Sequence, residues 1–284
     1  MVASPERCYA SASSVDDEFV IGYVGGIYLE SILSYFEQYS ELDTPERKML
    51  NSLVGSPTLY RRNTTIWQYG DRSENIHIVR SGWAYSYRDL EDGGRQVLDI
   101  YVPGDIIGLR EYPFKKRITA LTALRDTQMH SFPKARLAEV FACSQLICNI
   151  FFMIAAQDQA IMLERMINLG RRSAREKIAH FLVEIARRVH RNSVSGDSPT
   201  HLPIPQTVMA DALGLSAVHV SRTFRDLREE GLVQPSSSGI EILDLHRLSE
   251  VANFDPSYLD EDAEDEILGF VRSLSASGDA QQRS

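Results

Sequence analysis

Between Pro205 and Gly231 the chain sets Val218, Ser221, Arg222 and Arg225 at i, i+3, i+4, i+7 spacing. On an α-helix such positions share one face. Val220, Thr223, Phe224 and Leu227 repeat that spacing two residues out of phase, about 200° around the helix, and make the buried side. The exposed line carries a specific chemistry. A guanidinium offers forked donors that match guanine O6 and N7, a serine hydroxyl meets bases or phosphates, and valine methyls pack on a thymine methyl. Ser216 and His219, at the start of the same helix, are placed to meet phosphates. The pattern points to a helix lying in a DNA major groove; the competing reading is a helical hairpin with a solvated charged face.

The flanking residues supply the geometry. Val208, Ala212 and Leu213 form the apolar side of a preceding short helix, Gly214 follows the Ala210-Asp211 pair where a sharp turn needs positive φ, and Ser216 is a ready N-cap. Gly231 ends the second helix. Leu232 to Leu245, with Pro235 to Gly239 in its middle, reads as a β-hairpin wing.

The run Met209-Ala210-Asp211-Ala212-Leu213-Gly214-Leu215-Ser216, followed by Val220-Ser221-Arg222, Leu227 and Gly231-Leu232, resembles the DNA-binding domain of the Crp-Fnr superfamily, bacterial regulators related to the cyclic AMP receptor protein and the fumarate and nitrate reductase regulator. The resemblance spans roughly residues 55 to 250. It implies an α+β protein with an N-terminal antiparallel β-roll of the cyclic-nucleotide-binding type, a long dimerisation helix and a C-terminal winged helix-turn-helix. Its best-known members carry Glu three residues before the Ser-Arg or Gly-Arg pair, where this chain has Val218.

From Tyr60 to Phe132 short apolar runs alternate with turns, and Gly70, Gly82, Gly94, Gly104 and Gly108 fall where hairpin corners would demand them. This spacing suggests a small antiparallel barrel or roll. A metal-dependent cupin would need clustered His and carboxylate ligands, and this half has only His77 and His130, far apart. In relatives that bind cyclic AMP, the phosphate pocket resembles G-E-x-x-G-E followed by an Arg-Ser pair. Here the segment is Gly104-Asp105-Ile106-Ile107-Gly108-Leu109, and Ile118-Thr119 aligns with the pair, with Arg117 one residue early. One step along a strand reverses the face, so the resemblance implies an effector pocket around Gly104, Asp105, Gly108, Arg117 and Thr119 that does not suit a cyclic nucleotide. The expectation is no cofactor, and an effector of unknown identity if there is one. An iron–sulfur sensor needs four thiolates, and the chain has Cys8, Cys143 and Cys148, read as buried free thiols. His77 is the candidate for a haem-responsive variant, its plainer reading being a half-exposed polar residue.

Gln145 to Leu169 reads as one long apolar helix. Gln157, Asp158, Gln159, Glu164 and Arg165 interrupt it, which argues against a membrane span. Leu146, Met153, Ala156, Ala160, Leu163 and Ile167 form one seam, broken by Asn149, and Ile147, Ile150, Phe151, Ile154 and Ile161 a second beside it. Two stripes imply two neighbours: one the roll, the other the same helix of a second subunit, with Met153, Ala156, Ala160, Leu163 and Ile167 at the dimer seam.

The 284 residues, 43% hydrophobic, suit two modest domains joined by a helix. The expected order is a flexible segment at 1–20, the roll with its N-terminal helices at 21–142, the dimerisation helix at 143–169, the winged helix-turn-helix at 170–250 and an acidic tail at 251–284. The net charge of −9 divides unevenly. Residues 171–230 hold ten Arg or Lys against seven Asp or Glu, and residues 251–284 hold two against eight. Basic residues thus lie where phosphates would be, and the tail reads as a solvated extension with one short helix from Ile267 to Leu274. Few cysteines and no secretion signal suit the cytoplasm. The expectation is therefore a homodimeric regulator of transcription binding double-stranded DNA at a palindrome, with RNA polymerase a further partner, no membrane and no catalytic or metal site. The alternatives are a sensor or protein-interaction module that has lost DNA binding, and a haem- or redox-responsive regulator.

Overall fold

The structure, a computed structural model, describes residues 32–192 and 201–259 together with Gly269. The expectations for the N-terminal segment, for Cys8 and for the short helix from Ile267 lie outside the described residues. Two short helices come first, α1 (Ile32–Glu37) and α2 (Thr44–Leu53). Asp43 opens α2 through a capping box, its carboxylate accepting from the Glu46 N–H while Glu46 accepts from the Asp43 N–H.

Eight strands then build the roll: β1 (Thr58–Tyr60), β2 (Thr65–Trp67), β3 (Asn75–Ser81), β4 (Ala84–Asp89), β5 (Arg95–Tyr101), β6 (Ile106–Ile107), β7 (Ala120–Ala123) and β8 (Thr127–Pro133). They form two four-stranded antiparallel sheets, β1-β8-β3-β6 and β2-β7-β4-β5. Of the five glycines expected at corners, four have positive φ. The exception is Gly94, whose place in the β4–β5 turn is taken by Gly93 at φ 84°. At Gly82 (φ 80°) a Cβ would sit 2.2 Å from the Asp126 carbonyl oxygen, so a side chain has no room.

Helix α3 (Lys134–Cys143) leads into α4 (Gln145–Arg171), capped by Ser144, whose hydroxyl accepts from the Ile147 N–H. By length and composition α4 could cross a membrane. Instead Leu146, Ile147, Ile150, Phe151 and Ile154 are buried in one core with α1, α2, α3 and the roll's Ile76, Ile78 and Phe132. The second predicted stripe therefore packs inward, as expected. The expected seam is only partly open in the single chain. Leu146 is buried and Met153 and Ala160 are half-buried, while Phe152 (72% exposed) and Met166 (59%) join Ala156, Leu163 and Ile167 on the open face. The core between α4 and the roll takes up Met153, so the open stripe lies to one side of the heptad seam.

The cysteine reading fails in part: Cys148 is free but only half-buried, and Cys143 is exposed.

Arg172 and Ser173 alone separate α4 from α5 (Ala174–Arg191), which begins with a second capping box between Ser173 and Glu176. Then come β9 (His201–Leu202), α6 (Gln206–Leu213), α7 (Ala217–Glu229), β10 (Val233–Ser236), β11 (Gly239–Ile242), α8 (Leu245–Ala252) and a 3-10 turn (Pro256–Tyr258). Strands β10, β11 and β9 form the wing sheet. Helix α8 was not foreseen; the strand-like reading ran on to Leu245, and the N-cap Asp244, which accepts from the Arg247 N–H, ends it. Trp83, Tyr87, Val97 and Val102 of the roll share one core with α5, α6 and α7, so the two halves are not merely strung on a helix.

Candidate nucleic-acid interface

The turn between α6 and α7 is built as its residues require. Gly214 takes φ 60° and ψ 35° as the C-cap of α6, and Ser216 Oγ accepts from the His219 N–H at 3.3 Å to start α7. Val220, Thr223, Phe224 and Leu227 are buried. The deep face of α6 differs in part from expectation: Met209, Ala210 and Leu213 are buried, whereas Val208 and Ala212 are only half-buried. Beyond α7, Gly231 at φ 71° turns the chain into the wing, and a pair of hydrogen bonds between Arg175 and Glu230, 2.5 and 2.6 Å, ties the end of α7 to the start of α5.

This packing leaves the other face of α7 open. Val218 is 67% exposed, and Ser221, Arg222 and Arg225 are exposed beside it. Together they line a depression of about 620 Å³ bounded by Gln206 at the start of α6 and Pro235 of the wing. Arg225 lies 3.8 Å from both Asp226 and Glu229, exposed pairs too long to hold the guanidinium firmly. Two predicted residues do not line the depression: Ser216 spends its acceptor on the helix start, and His219 sits exposed on the flank. Arg228 and Gln206 line it and were missed. Arg228 lies three residues beyond Arg225 and was legible as one more turn of the same face. Gln206 depends on how α6 crosses α7, which no local pattern encodes.

The roll interior answers the effector expectation differently for each residue. Gly108 and Thr119 border a cavity of about 30 Å³, together with Trp67, Tyr101, Leu109, Arg110, Glu111, Ile118 and, from α4, Asp158. Small-molecule sites are typically about 300 to 1,000 Å³. Arg117 is buried just behind, and its partners are internal. It meets Glu111 Oε2 at 2.7 Å, the Asn75 carbonyl at 3.0 Å and His77 Nε2 at 3.1 Å, and lies over the Trp67 ring. Glu111 Oε1 also accepts from the Ile118 N–H at 2.9 Å. A guanidinium and a backbone N–H form an anion site here, and the chain's own carboxylate fills it. Gly104 and Asp105 are not in this pocket; they face α5, where Asp105 Oδ2 meets Arg188 at 2.6 Å and Gly104 lies against Asn192.

His77 is buried, not half-exposed. Both ring nitrogens are engaged, Nδ1 with Ser131 at 2.8 Å and Nε2 with Arg117, and burial with the adjacent Arg117 charge lowers its pKa to about 3. Neither nitrogen is free for a haem iron. No cluster of three or more metal-ligating side chains occurs among the described residues.

A β-roll, a long helix with one open apolar face and a winged helix-turn-helix with a bare arginine-bearing face define a DNA-binding regulator. Residues 57–143 match the model of the cyclic nucleotide-binding domain, and residues 176–251 that of the Crp-like helix-turn-helix domain. The nitrogen fixation regulation protein FixK of Bradyrhizobium diazoefficiens is 31% identical over 217 residues, covering 75% of this chain and 88% of that one. The transcriptional activator protein FnrL of Cereibacter sphaeroides is 30% identical over 218 residues, 75% and 86% of the two chains. The structure of FixK2 from Bradyrhizobium japonicum superposes with a TM-score of 0.61 at 26% identity, covering 70% of this chain and 96% of that one. The chain belongs to the Crp-Fnr superfamily and is a sequence-specific DNA-binding regulator of transcription.

Proposed function

We propose that the protein acts in the cytoplasm as a homodimer, joined along the open face of α4, that places two α7 helices in successive major grooves of a palindromic operator and meets RNA polymerase there. It is not an enzyme. The observation that carries this reading is the bare α7 face: Ser221 and Arg222 point outward with no protein partner among the described residues, beside an open depression that Arg225 and Arg228 also line. A helix-turn-helix retired to protein contacts would have no need of a forked cation there. Selection of bound duplexes from a random library tests it. The expected product is two inverted half-sites about one helical turn apart, each with a guanine for Arg222 and with thymine or tolerance opposite Val218. Failure to enrich any sequence would overturn it.

Cyclic nucleotides do not control this regulator on the same reading, and the Glu111 carboxylate supports that. It satisfies Arg117 and the Ile118 N–H from within, and a cavity of about 30 Å³ holds no nucleotide.

A further inference from the structure

The connection between α4 and α5 is only two residues long, yet two residues leave a helix free to swing. What fixes the swing is a buried set of charges where three elements converge. Asp99 of β5 lies at the centre: its Oδ1 meets Arg165 of α4 at 2.7 Å and Arg188 of α5 at 3.4 Å, while its Oδ2 meets Arg110 at 2.6 Å. Arg188 reaches on to Asp105 at 2.6 Å, and Arg165 to Glu184 of α5 at 3.0 Å. Asn192, at the end of α5, donates to the Pro103 carbonyl at 2.8 Å. Burial alone would raise the Asp99 carboxyl, but Arg165, Arg110 and Arg188 together hold it below the usual carboxylate range.

Buried ion pairs are an inefficient source of stability compared with apolar packing, and their best-attested use is to specify one arrangement over others. The apolar core between roll and α5–α7 is non-directional. The charges are directional: Arg188 is a rigid fork addressed to two carboxylates of the roll.

We propose that Asp99, Asp105, Arg165 and Arg188 form a clasp that sets the angle of the DNA-binding unit against roll and long helix, and so dictates the spacing of the two half-sites the dimer accepts. These are positioning residues, remote from the α7 face. The proposal rests on the dimer-on-palindrome reading, and its test separates the two.

The full-length protein is titrated on duplexes carrying a single half-site, the selected operator, and operators with one half-site displaced by one or two base pairs. Wild type should prefer the selected spacing at least tenfold. If a second half-site adds nothing for wild type, the palindrome reading fails first, and the clasp with it. Arg188→Met combined with Asp105→Asn removes a charge of each sign, and Arg188→Lys keeps the charge but loses the fork. Both should bind the single half-site within about twofold of wild type while losing most of the spacing preference, Arg188→Lys the less. Asn192→Ala, which leaves every ion pair in place, should flatten the preference slightly and guards against variants that do not fold. Sedimentation and circular dichroism confirm dimer and fold. A folded, dimeric Arg188→Met/Asp105→Asn protein with wild-type spacing preference would overturn the clasp.

Discussion

Arg222 and Arg225 lie one turn apart on the same exposed face and are expected to do different work. Arg222 makes no ion pair among the described residues and sits nearer the start of α7, where base edges come within reach. Arg222→Ala should lose roughly 1 to 3 kcal/mol of discrimination at one guanine and flatten the selected motif at that position only. Arg225→Ala should weaken all sequences alike and make binding less steep in salt, since a phosphate contact releases counterion without reading sequence. A library selection with each variant checks both. Inside the roll, Glu111 is the residue to change. Glu111→Gln leaves Arg117 buried without its carboxylate, a defect worth about 3 to 5 kcal/mol. Its melting temperature should fall steeply, and millimolar phosphate or cyclic AMP should not restore it, because Gln keeps the carboxylate's volume and the cavity stays at about 30 Å³. Wild type should not respond to either, because specific binding must stabilise the native state; a clear rise in wild type would show that Glu111 does not fill the site.

The open stripe of α4 carries the next prediction. Phe152, Leu163 and Met166 leave large apolar surface in water, more than a soluble helix exposes without a partner. Leu163→Glu would place two like charges near the symmetry axis, and sedimentation at micromolar concentration should show monomer with native helicity. Met153→Glu is expected to damage the subunit itself, because Met153 packs against the roll-side core. The heptad reading could not separate these two positions: both lie within the apolar arc, and only the placement of the roll decides which part of the arc is covered.

For the whole molecule, His77, His180 and His130, the last also lowered by burial, and the half-buried Asp158 set the response between pH 7 and 5. His180, packed against Phe254 and Tyr258, has its pKa lowered to about 4 by burial and by Arg172, against an opposing pull from Glu164; His77 is lowered to about 3. Both are neutral when folded and bind protons more readily when unfolded, so their contribution is complete above pH ~6.5 and is lost as pH falls toward 4. Asp158 works the other way. Burial raises its carboxyl to about 6, so the folded state binds that proton first and gains stability between about pH 6 and 4. The lowered histidines outweigh one aspartate, and urea unfolding should show stability falling from pH 7 to pH 5. Asp158→Asn should steepen the fall and His180→Phe flatten it, each by up to about 1.4 kcal/mol per pH unit for one proton. The opposite pair of slopes would show that these side chains are hydrated in the native state.

The recognition helix, its caps, the turn at Gly214 and the long helix were all legible in the chain, because each is written in neighbours within one or two turns: a periodicity, a hydroxyl at a helix start, a glycine where φ must be positive. So were the regular strands of the roll. Tertiary structure decided what depends on residues distant in sequence. Arg117 was expected at the effector pocket, yet Glu111, the Asn75 carbonyl and His77 hold it behind the cavity wall. Asp105 was expected in the pocket, yet Arg188, 83 positions later, holds it at the roll–α5 boundary. The expected seam is only partly open because the core between α4 and the roll takes up Met153. Local patterns specify elements, whereas partners for buried charge and the covered side of an apolar helix exist only once those elements have met.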